Sequence, residues 1–239
     1  MRGAIMAAAA LAIPAGAGAQ ASVKTADYSF DYSYPAAASR FPTLRRWFEA
    51  ERAASRTRVA QRAAADRREA TKGSYPFRPW EAQTTWKVVT ETPRFLSLSG
   101  ETYAYTGGAH GNTGSLAMLW DKSTSRRLAP RDLFVSPAAI QQAMGKDYCR
   151  RLDVEREKKR GEPVKPGTGV AGFNDCVAVK ETTLLLGSTS RRAFDRIGLI
   201  ADQYVAGSYA EGPYEVTLPV TAAVRAAVKP AYRSAFAPR

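Results

Sequence analysis

Histidine and cysteine are scarce in this sequence. His110 is the single histidine, and Cys149 and Cys176 are the only cysteines among 239 residues. A zinc site needs several His, Cys or carboxylate ligands at short spacings, and a Ser-His-Asp hydrolase needs a nucleophile and an acid around its histidine. The sequence shows neither spacing pattern, so we predict no metal, no cofactor and no catalytic residues. A hydrolase that uses His110 is kept as a remote alternative.

No hydrophobic run in the sequence is long enough to cross a membrane. The longest run lies at the N-terminus. Arg2 precedes the apolar run from Ala4 to Ile13, which small residues follow as far as Ala21. This run is about half of the roughly 20 residues that cross a bilayer, and it has the form of a secretory signal peptide. We predict that residues 1–21 are a signal peptide cleaved after Ala19 or Ala21. The remaining chain is then periplasmic or secreted and has no transmembrane segment.

Acidic residues are outnumbered by basic ones, 22 against 35. Loss of Arg2 with the signal peptide lowers the formal net charge from +13 to +12. Such an excess favours anionic partners, and export argues against nucleic acid, so we expect an anionic envelope polymer or lipid. A basic surface without a specific ligand has the same net charge and stays open as an alternative.

The two cysteines are expected to form a disulfide. In an oxidising compartment, two cysteines of one compact domain most often pair. A Cys149–Cys176 bridge closes a loop of about 28 residues and stabilises the fold by roughly 3–4 kcal/mol in the chain-entropy model. The alternatives are free thiols or a metal site, and two cysteines without neighbouring histidines chelate zinc poorly.

The first half of the mature chain alternates between strand and helix patterns. Apolar residues at every second position from Tyr28 to Tyr34 predict a half-buried strand, and helical spacing over Ala38 to Thr71 predicts one long helix or two. The second half of this helix carries six arginines that form either a basic face or an ordinary solvated one: Arg52, Arg56, Arg58, Arg62, Arg67 and Arg68. Strands are predicted at Trp80–Val88, Phe95–Tyr105 and Ser115–Trp120, with a glycine-rich loop at residues 106–114.

The second half begins with a helix. Ser136 is a capping residue, Pro137 suits the first turn, and one buried stripe runs down to about Lys159: Ile140, Met144, Tyr148 and Leu152. Strand patterns follow at residues 177–187, 194–205 and 214–219, before a short helix at residues 221–227. We predict an α+β fold with antiparallel sheets, a long N-terminal helix and a central helix, in two adjoining subdomains at residues 22–134 and 135–239.

Two segments carry a family resemblance. The sequence from Tyr103 to Asn112, YAYTGGAHGN, followed by LAPRDLF at residues 128–134, resembles the first of two adjoining domains of unknown function in exported bacterial proteins. The pattern Tyr-x-x-x-x-Tyr-Ala-x-Gly-Pro of the second domain stands here as YVAGSYAEGP at residues 204–213. This family is similar to the extracellular region of the anti-sigma factor RsiV and to the region ahead of the peptidoglycan deacetylase PdaC.

The resemblance implies a sensing or binding module. An RsiV-like protein would also need a sigma-binding segment and a membrane helix, and a PdaC-like enzyme a catalytic domain; this sequence shows neither. RsiV senses lysozyme, so a secreted protein partner, with this chain acting as receptor or inhibitor of a hydrolase, is the alternative. Because lysozyme is typically cationic, long-range repulsion from a chain with a net charge of +12 disfavours lysozyme as the partner. We predict a non-enzymatic module that binds an anionic envelope component or wall glycan.

Candidate ligand-binding residues lie in these same two segments. Backbone amides of the glycine-rich loop and the side chains of His110 and Asn112 can supply polar contacts, with tyrosine rings as stacking surfaces. Shaping of turns is the commoner role of such residues. The eight candidates are Tyr103, Tyr105, Gly107, Gly108, His110, Asn112, Tyr204 and Tyr209.

Overall fold

A computed structural model describes residues 19–170 and 172–238. The predicted signal peptide, residues 1–21, lies outside these residues except for Ala19–Ala21, which begin the first strand. The strands are β1 (Ala19–Lys24), β2 (Tyr28–Tyr34), β3 (Trp80–Glu91), β4 (Phe95–Tyr105), β5 (Asn112–Asp121), β6 (Arg126–Leu128), β7 (Thr183–Gly187), β8 (Arg196–Ala201) and β9 (Tyr214–Pro219). The α-helices are α1 (Ala36–Ser39), α2 (Pro42–Gly73), α3 (Pro137–Arg160) and α4 (Ala222–Ala226).

The strands form two sheets, and helices pack on both. The larger sheet has the order β1-β2-β3-β4-β5-β6, and the smaller has the order β7-β8-β9. Neighbouring strands are antiparallel except β2 and β3, which are parallel because the chain crosses over through α1 and α2 between them. The predicted α+β class is confirmed, and the parallel pair is an addition to the prediction.

The first core lies between α2 and the six-stranded sheet. Alternation in β2 buries Tyr28, Phe30, Tyr32 and Tyr34 against the helix, as predicted. From α2, Leu44 and Phe48 are fully buried, and the Phe48 ring stacks on Tyr34 with centroids 4.6 Å apart. The other face of β3, β4 and β5 is turned away from α2 and towards the second half of the chain.

The second core lies between α3 and the three-stranded sheet. The Ser136 side chain accepts a hydrogen bond from the Ala139 amide, which caps α3 as predicted. The predicted stripe is buried throughout: Ile140, Met144, Tyr148 and Leu152. Leu184, Leu199 and Val216, one from each strand of the small sheet, pack against it.

Several predicted strand limits differ from the structure. The strand predicted to end at Val88 continues to Glu91 past a β-bulge between Val88 and Thr90, and Val88 itself is 40% exposed. The strand predicted from residue 177 begins at Thr183, since Val179–Glu181 form a 3-10 turn beneath α3. The strand predicted at residues 194–205 covers only Arg196–Ala201. The glycine-rich loop ends earlier than predicted, because β5 already begins at Asn112.

Cys149 and Cys176 form a disulfide, as predicted. Their Cα atoms lie 5.3 Å apart, and the bridge joins the middle of α3 to the end of the segment rich in proline and glycine. It therefore fixes the return of the chain from α3 to the small sheet.

The two halves share one interface. Phe95 and Leu119, from the six-stranded sheet, lie in the core of the second half, and the Phe95 ring is 5.6 Å from that of Phe194. The predicted boundary between residues 134 and 135 comes just before the cap of α3. No helix in the described part of the chain is long and apolar enough to span a membrane.

Candidate binding site

The glycine-rich loop connects β4 to β5 and is held from one side by an arginine. Gly107 has φ +89°, a backbone conformation that L side chains rarely adopt. The Arg78 guanidinium lies 3.4 Å from both the Gly108 carbonyl oxygen and the Tyr105 hydroxyl. Tyr105, Gly107 and Gly108 therefore sit together on the Arg78 side of the loop.

A second loop approaches from the other half of the chain. It follows β8 and contains Tyr204, whose φ of +68° is uncommon for a residue with a side chain. The Tyr204 amide donates to the Gly207 carbonyl oxygen at 3.1 Å, which stabilises this turn. Tyr209 then begins a 3-10 turn that ends at Glu211.

The two loops meet through three aromatic side chains, His110, Tyr204 and Tyr209, which we call the His–Tyr cluster. The His110 ring stacks on Tyr209 with centroids 3.9 Å apart, and the Tyr209 hydroxyl donates to the Gly111 carbonyl oxygen at 2.8 Å. The Tyr204 hydroxyl lies 3.4 Å from His110 Nε2. The structure thus brings together predicted residues that are more than 90 positions apart in the sequence.

Tyr103 packs against Gly111, which is next to His110 of the cluster. Asn112 lies apart from the cluster. Gly111 is buried against the Tyr103 ring, which would overlap a side chain at that position. Asn112 pairs with Ala104 in the sheet, and alternation places both on the α2 side. Four of the eight candidates therefore form or support the cluster, three lie beside Arg78, and Asn112 is on the opposite face.

A polar seam beside the cluster was not predicted. The Ser115 hydroxyl donates to Asp202 at 2.6 Å, and the Thr113 hydroxyl donates to Gln203 Oε1 at 2.6 Å. These bonds join β5 to the end of β8 next to a groove of about 380 Å³ between the two sheets. No local pattern in the sequence indicates such pairs, because their partners are almost 90 residues apart.

The end of α3 anchors the loop that carries both tyrosines. Arg156 is fully buried, and it donates to the carbonyl oxygens of Ala206 at 3.0 Å and Asp175 at 2.9 Å. Arg160 Nε donates to Glu211 Oε2 at 2.7 Å. Neither arginine was among the predicted site residues, because their partners Ala206 and Glu211 lie 50 and 51 residues away in the sequence.

Glu211 has a strongly shifted pKa. Burial alone would raise it, but hydrogen bonds from Tyr214, Ser208 and Arg160 outweigh burial and lower the pKa of Glu211 to about 2. Burial and the hydrogen bond to Glu211 raise the pKa of Tyr214 to about 12, although Arg160 acts in the opposite direction. Glu211 is thus a fixed anion that holds the tyrosine loop in place.

The six arginines predicted for the second half of the helix, now part of α2, do not form one continuous face. Arg56 and Arg67 reach the turn before β2, at the Tyr28 hydroxyl and the Asp27 carboxylate, whereas Arg58 pairs with Glu51 at 2.8 Å. Arg58 and Arg67 are nine residues apart, which places them on opposite sides of a helix. Arg52, Arg62 and Arg68 have no acidic partner within the described residues.

The comparisons with known proteins identify the fold and the N-terminal region. Residues 22–113 match the family model described as Deacetylase PdaC. The fold is similar to the crystal structure of a DUF3298 family member from Bacteroides fragilis, with a TM-score of 0.53 and 16% identity over 85% of this chain and 89% of that chain. The predicted resemblance to this two-domain family of unknown function is confirmed at that level.

A DUF3298 family protein from Pseudomonas aeruginosa is also similar, with a TM-score of 0.45 and 16% identity over 93% of this chain and 95% of that chain. No curated protein matches the chain significantly. At such identities the likeness concerns the fold, and function has to be argued from the residues.

Proposed function

We propose that this protein is an exported, non-enzymatic module that binds an anionic wall glycan or related envelope polymer at the His–Tyr cluster. One observation carries the proposal: loops from both halves of the chain meet there and leave an aromatic surface open to solvent. Tyr204, at the outer side of this surface, is 53% exposed.

The chemistry of the cluster suits contact through ring faces. The Tyr209 hydroxyl and the His110 ring nitrogens already contact Gly111 and Tyr204 within the cluster. What remains for a partner is aromatic surface with a few polar edges, the composition common in ligand sites. The left-handed backbone of Tyr204 supports this role, since residues in sparsely populated conformations occur preferentially at functional sites.

The charge of the chain favours an anionic partner. A formal net charge of +13 attracts polyanions over a distance of about 10 Å at moderate ionic strength. Five arginines of α2 form no ion pair among the described residues and contribute to this attraction: Arg46, Arg52, Arg56, Arg62 and Arg68. Affinity therefore depends on salt, while selectivity depends on the aromatic cluster.

The contacts of His110 support a non-enzymatic role. Its Nδ1 lies 3.0 Å from the Gly111 carbonyl oxygen and its Nε2 lies 3.4 Å from the Tyr204 hydroxyl, so both nitrogens have neighbours that position the ring. Within the described residues, no carboxylate contacts His110 to make it a general base. The matching family is named after a deacetylase, so acetate release is a control in the experiment below.

The test is sedimentation of residues 22–239 with isolated cell wall at low and high salt. Tyr204→Ala is expected to reduce the bound fraction at least fivefold, whereas Tyr204→Phe retains most of it because the ring remains. Acetate release from the wall is expected to stay at background. Equal binding by the Tyr204→Ala variant would contradict the proposed site, and acetate release that depends on His110 would contradict the non-enzymatic role.

A further inference from the structure

A second cavity lies on the opposite face of the six-stranded sheet from the His–Tyr cluster. It has a volume of about 630 Å³ and opens between α2 and the strands β3 to β6. Volumes of 300–1,000 Å³ are usual for sites that bind small molecules. Its residues play no part in the binding surface described above, so the two sites can be tested separately.

Two buried aromatic side chains form part of the wall of this cavity. Tyr32 is 2% exposed and Trp86 is 7% exposed, and both line the cavity. Their polar atoms, the Tyr32 hydroxyl and the Trp86 indole nitrogen, are buried. Burial raises the pKa of Tyr32 to about 12, and a side-chain hydrogen bond with Trp86 partly offsets this shift. Ligand contacts at this wall are therefore made by ring surfaces.

The rim of the cavity supplies a cation. The Arg127 guanidinium lies 4.2 Å from the centre of the Trp47 ring, and no carboxylate in the described part of the chain forms an ion pair with it. Arg58, the other arginine of the cavity, is already bound to Glu51 and to the Ser55 hydroxyl at 2.6 Å. Arg127 is therefore the cation that remains to receive an anionic group.

Aromatic walls complete the site. Trp47 and Trp86 lie edge to face with centroids 6.3 Å apart, and both line the cavity. Aromatic rings at the side, the side chains of Thr84 and Thr102 in the wall and one guanidinium at the rim suit a ring-shaped ligand with hydroxyl groups and one carboxylate.

We propose that this cavity binds a sugar acid, a six-membered sugar ring that carries one carboxylate. The carboxylate pairs with Arg127, and the sugar ring packs against the aromatic surfaces of Trp47 and Trp86. This site goes beyond the proposed polymer binding and does not require the His–Tyr cluster.

The experiment compares glucuronate with glucose, which differ in that the carboxylate replaces a hydroxymethyl group. Calorimetric titration of residues 22–239 is expected to give at least tenfold tighter binding of glucuronate. Arg127→Gln is expected to abolish this preference, and Arg127→Lys to retain part of it. Arg126→Gln is the matched control, because neighbouring residues of β6 point to opposite faces of the sheet. It should leave the preference unchanged.

The inference would be overturned by no binding of glucuronate, by equal binding of glucose, or by equal binding of acetate, which would indicate a general anion contact. An Arg126→Gln variant as weak as Arg127→Gln would overturn it too, because net charge alone would then explain the affinity. Tyr204→Ala should leave glucuronate binding intact, which separates failure here from failure of the proposed polymer binding.

Discussion

Glu211 shows how one side chain links the tyrosine loop to stability. Its folded-state pKa of about 2 lies below the ordinary value of 4.5, so the folded protein binds this proton less readily than the unfolded chain. The stabilisation is complete above about pH 4.5 and disappears as the pH falls through about 2.

We predict that Glu211→Gln lowers the free energy of unfolding by roughly 2–3 kcal/mol at pH 7, a difference that shrinks towards zero near pH 2. Urea denaturation across this pH range measures the effect. Glu215→Gln is the control, because Glu215 is exposed on the face of β9 opposite to that of the buried Tyr214. A loss that does not change with pH would contradict the role given to the Glu211 charge.

Arg156 is the buried cation on which the same loop depends. Replacement by methionine keeps the length of the side chain but leaves the carbonyl oxygens of Ala206 and Asp175 without a donor. We expect a loss of roughly 3 kcal/mol in the free energy of unfolding, with faster amide exchange at residues 204–207. Arg150→Met, at an exposed position of the same helix, should change stability by less than about 1 kcal/mol. Equal losses in the two variants would refute this assignment.

Among the elements, the segment after α3 depends most on the disulfide. We predict that Cys149→Ala combined with Cys176→Ala costs roughly 3–4 kcal/mol of stability, because the unfolded chain regains the freedom of a long loop. Thermal melts with and without reductant test this. The reductant should destabilise the original protein by the same amount and leave the double variant unchanged. An unchanged melt of the reduced original protein would contradict the prediction.

At the level of elements, the sequence was informative where periodicity and capping act locally. The alternation from Tyr28 to Tyr34 and the Ser136-Pro137 helix start were both interpreted correctly, because each depends on a few neighbouring residues. The bulge beside Val88 and the parallel pairing of β2 with β3 depend on the whole sheet, so no local pattern reveals them. The same holds for the Ser115–Asp202 bond and for the cavity beneath α2.

Across the whole molecule, the shared core implies that the halves unfold together. Phe95 belongs to the six-stranded sheet but is fully buried between Phe194 and Tyr232 of the second half. We predict one calorimetric transition for residues 22–239, and a fragment of residues 22–134 that does not fold stably alone. Phe95→Ala should lower stability by about 3–5 kcal/mol and keep the single transition. Two separate transitions would contradict this prediction.

The candidate residues were named from the sequence, but the way in which they come together was not. The glycine-rich loop and the tyrosine pattern were found as separate motifs, and their contact through His110 and Tyr209 follows only from how the two sheets pack. The buried arginines that hold the loop were missed, because a charged residue in an apolar stripe gives no sign of its distant carbonyl partners.

The central claim is that this protein binds an anionic envelope polymer through its aromatic cluster. The most direct measurement is a pull-down with oxidised protein, residues 22–239, against isolated wall and a periplasmic extract at low and high salt. Retention on wall that weakens with salt and is lost in the Tyr204→Ala variant is the predicted result. Capture of one protein that persists at high salt, without retention on wall, would contradict the claim and favour a receptor or inhibitor of a secreted protein.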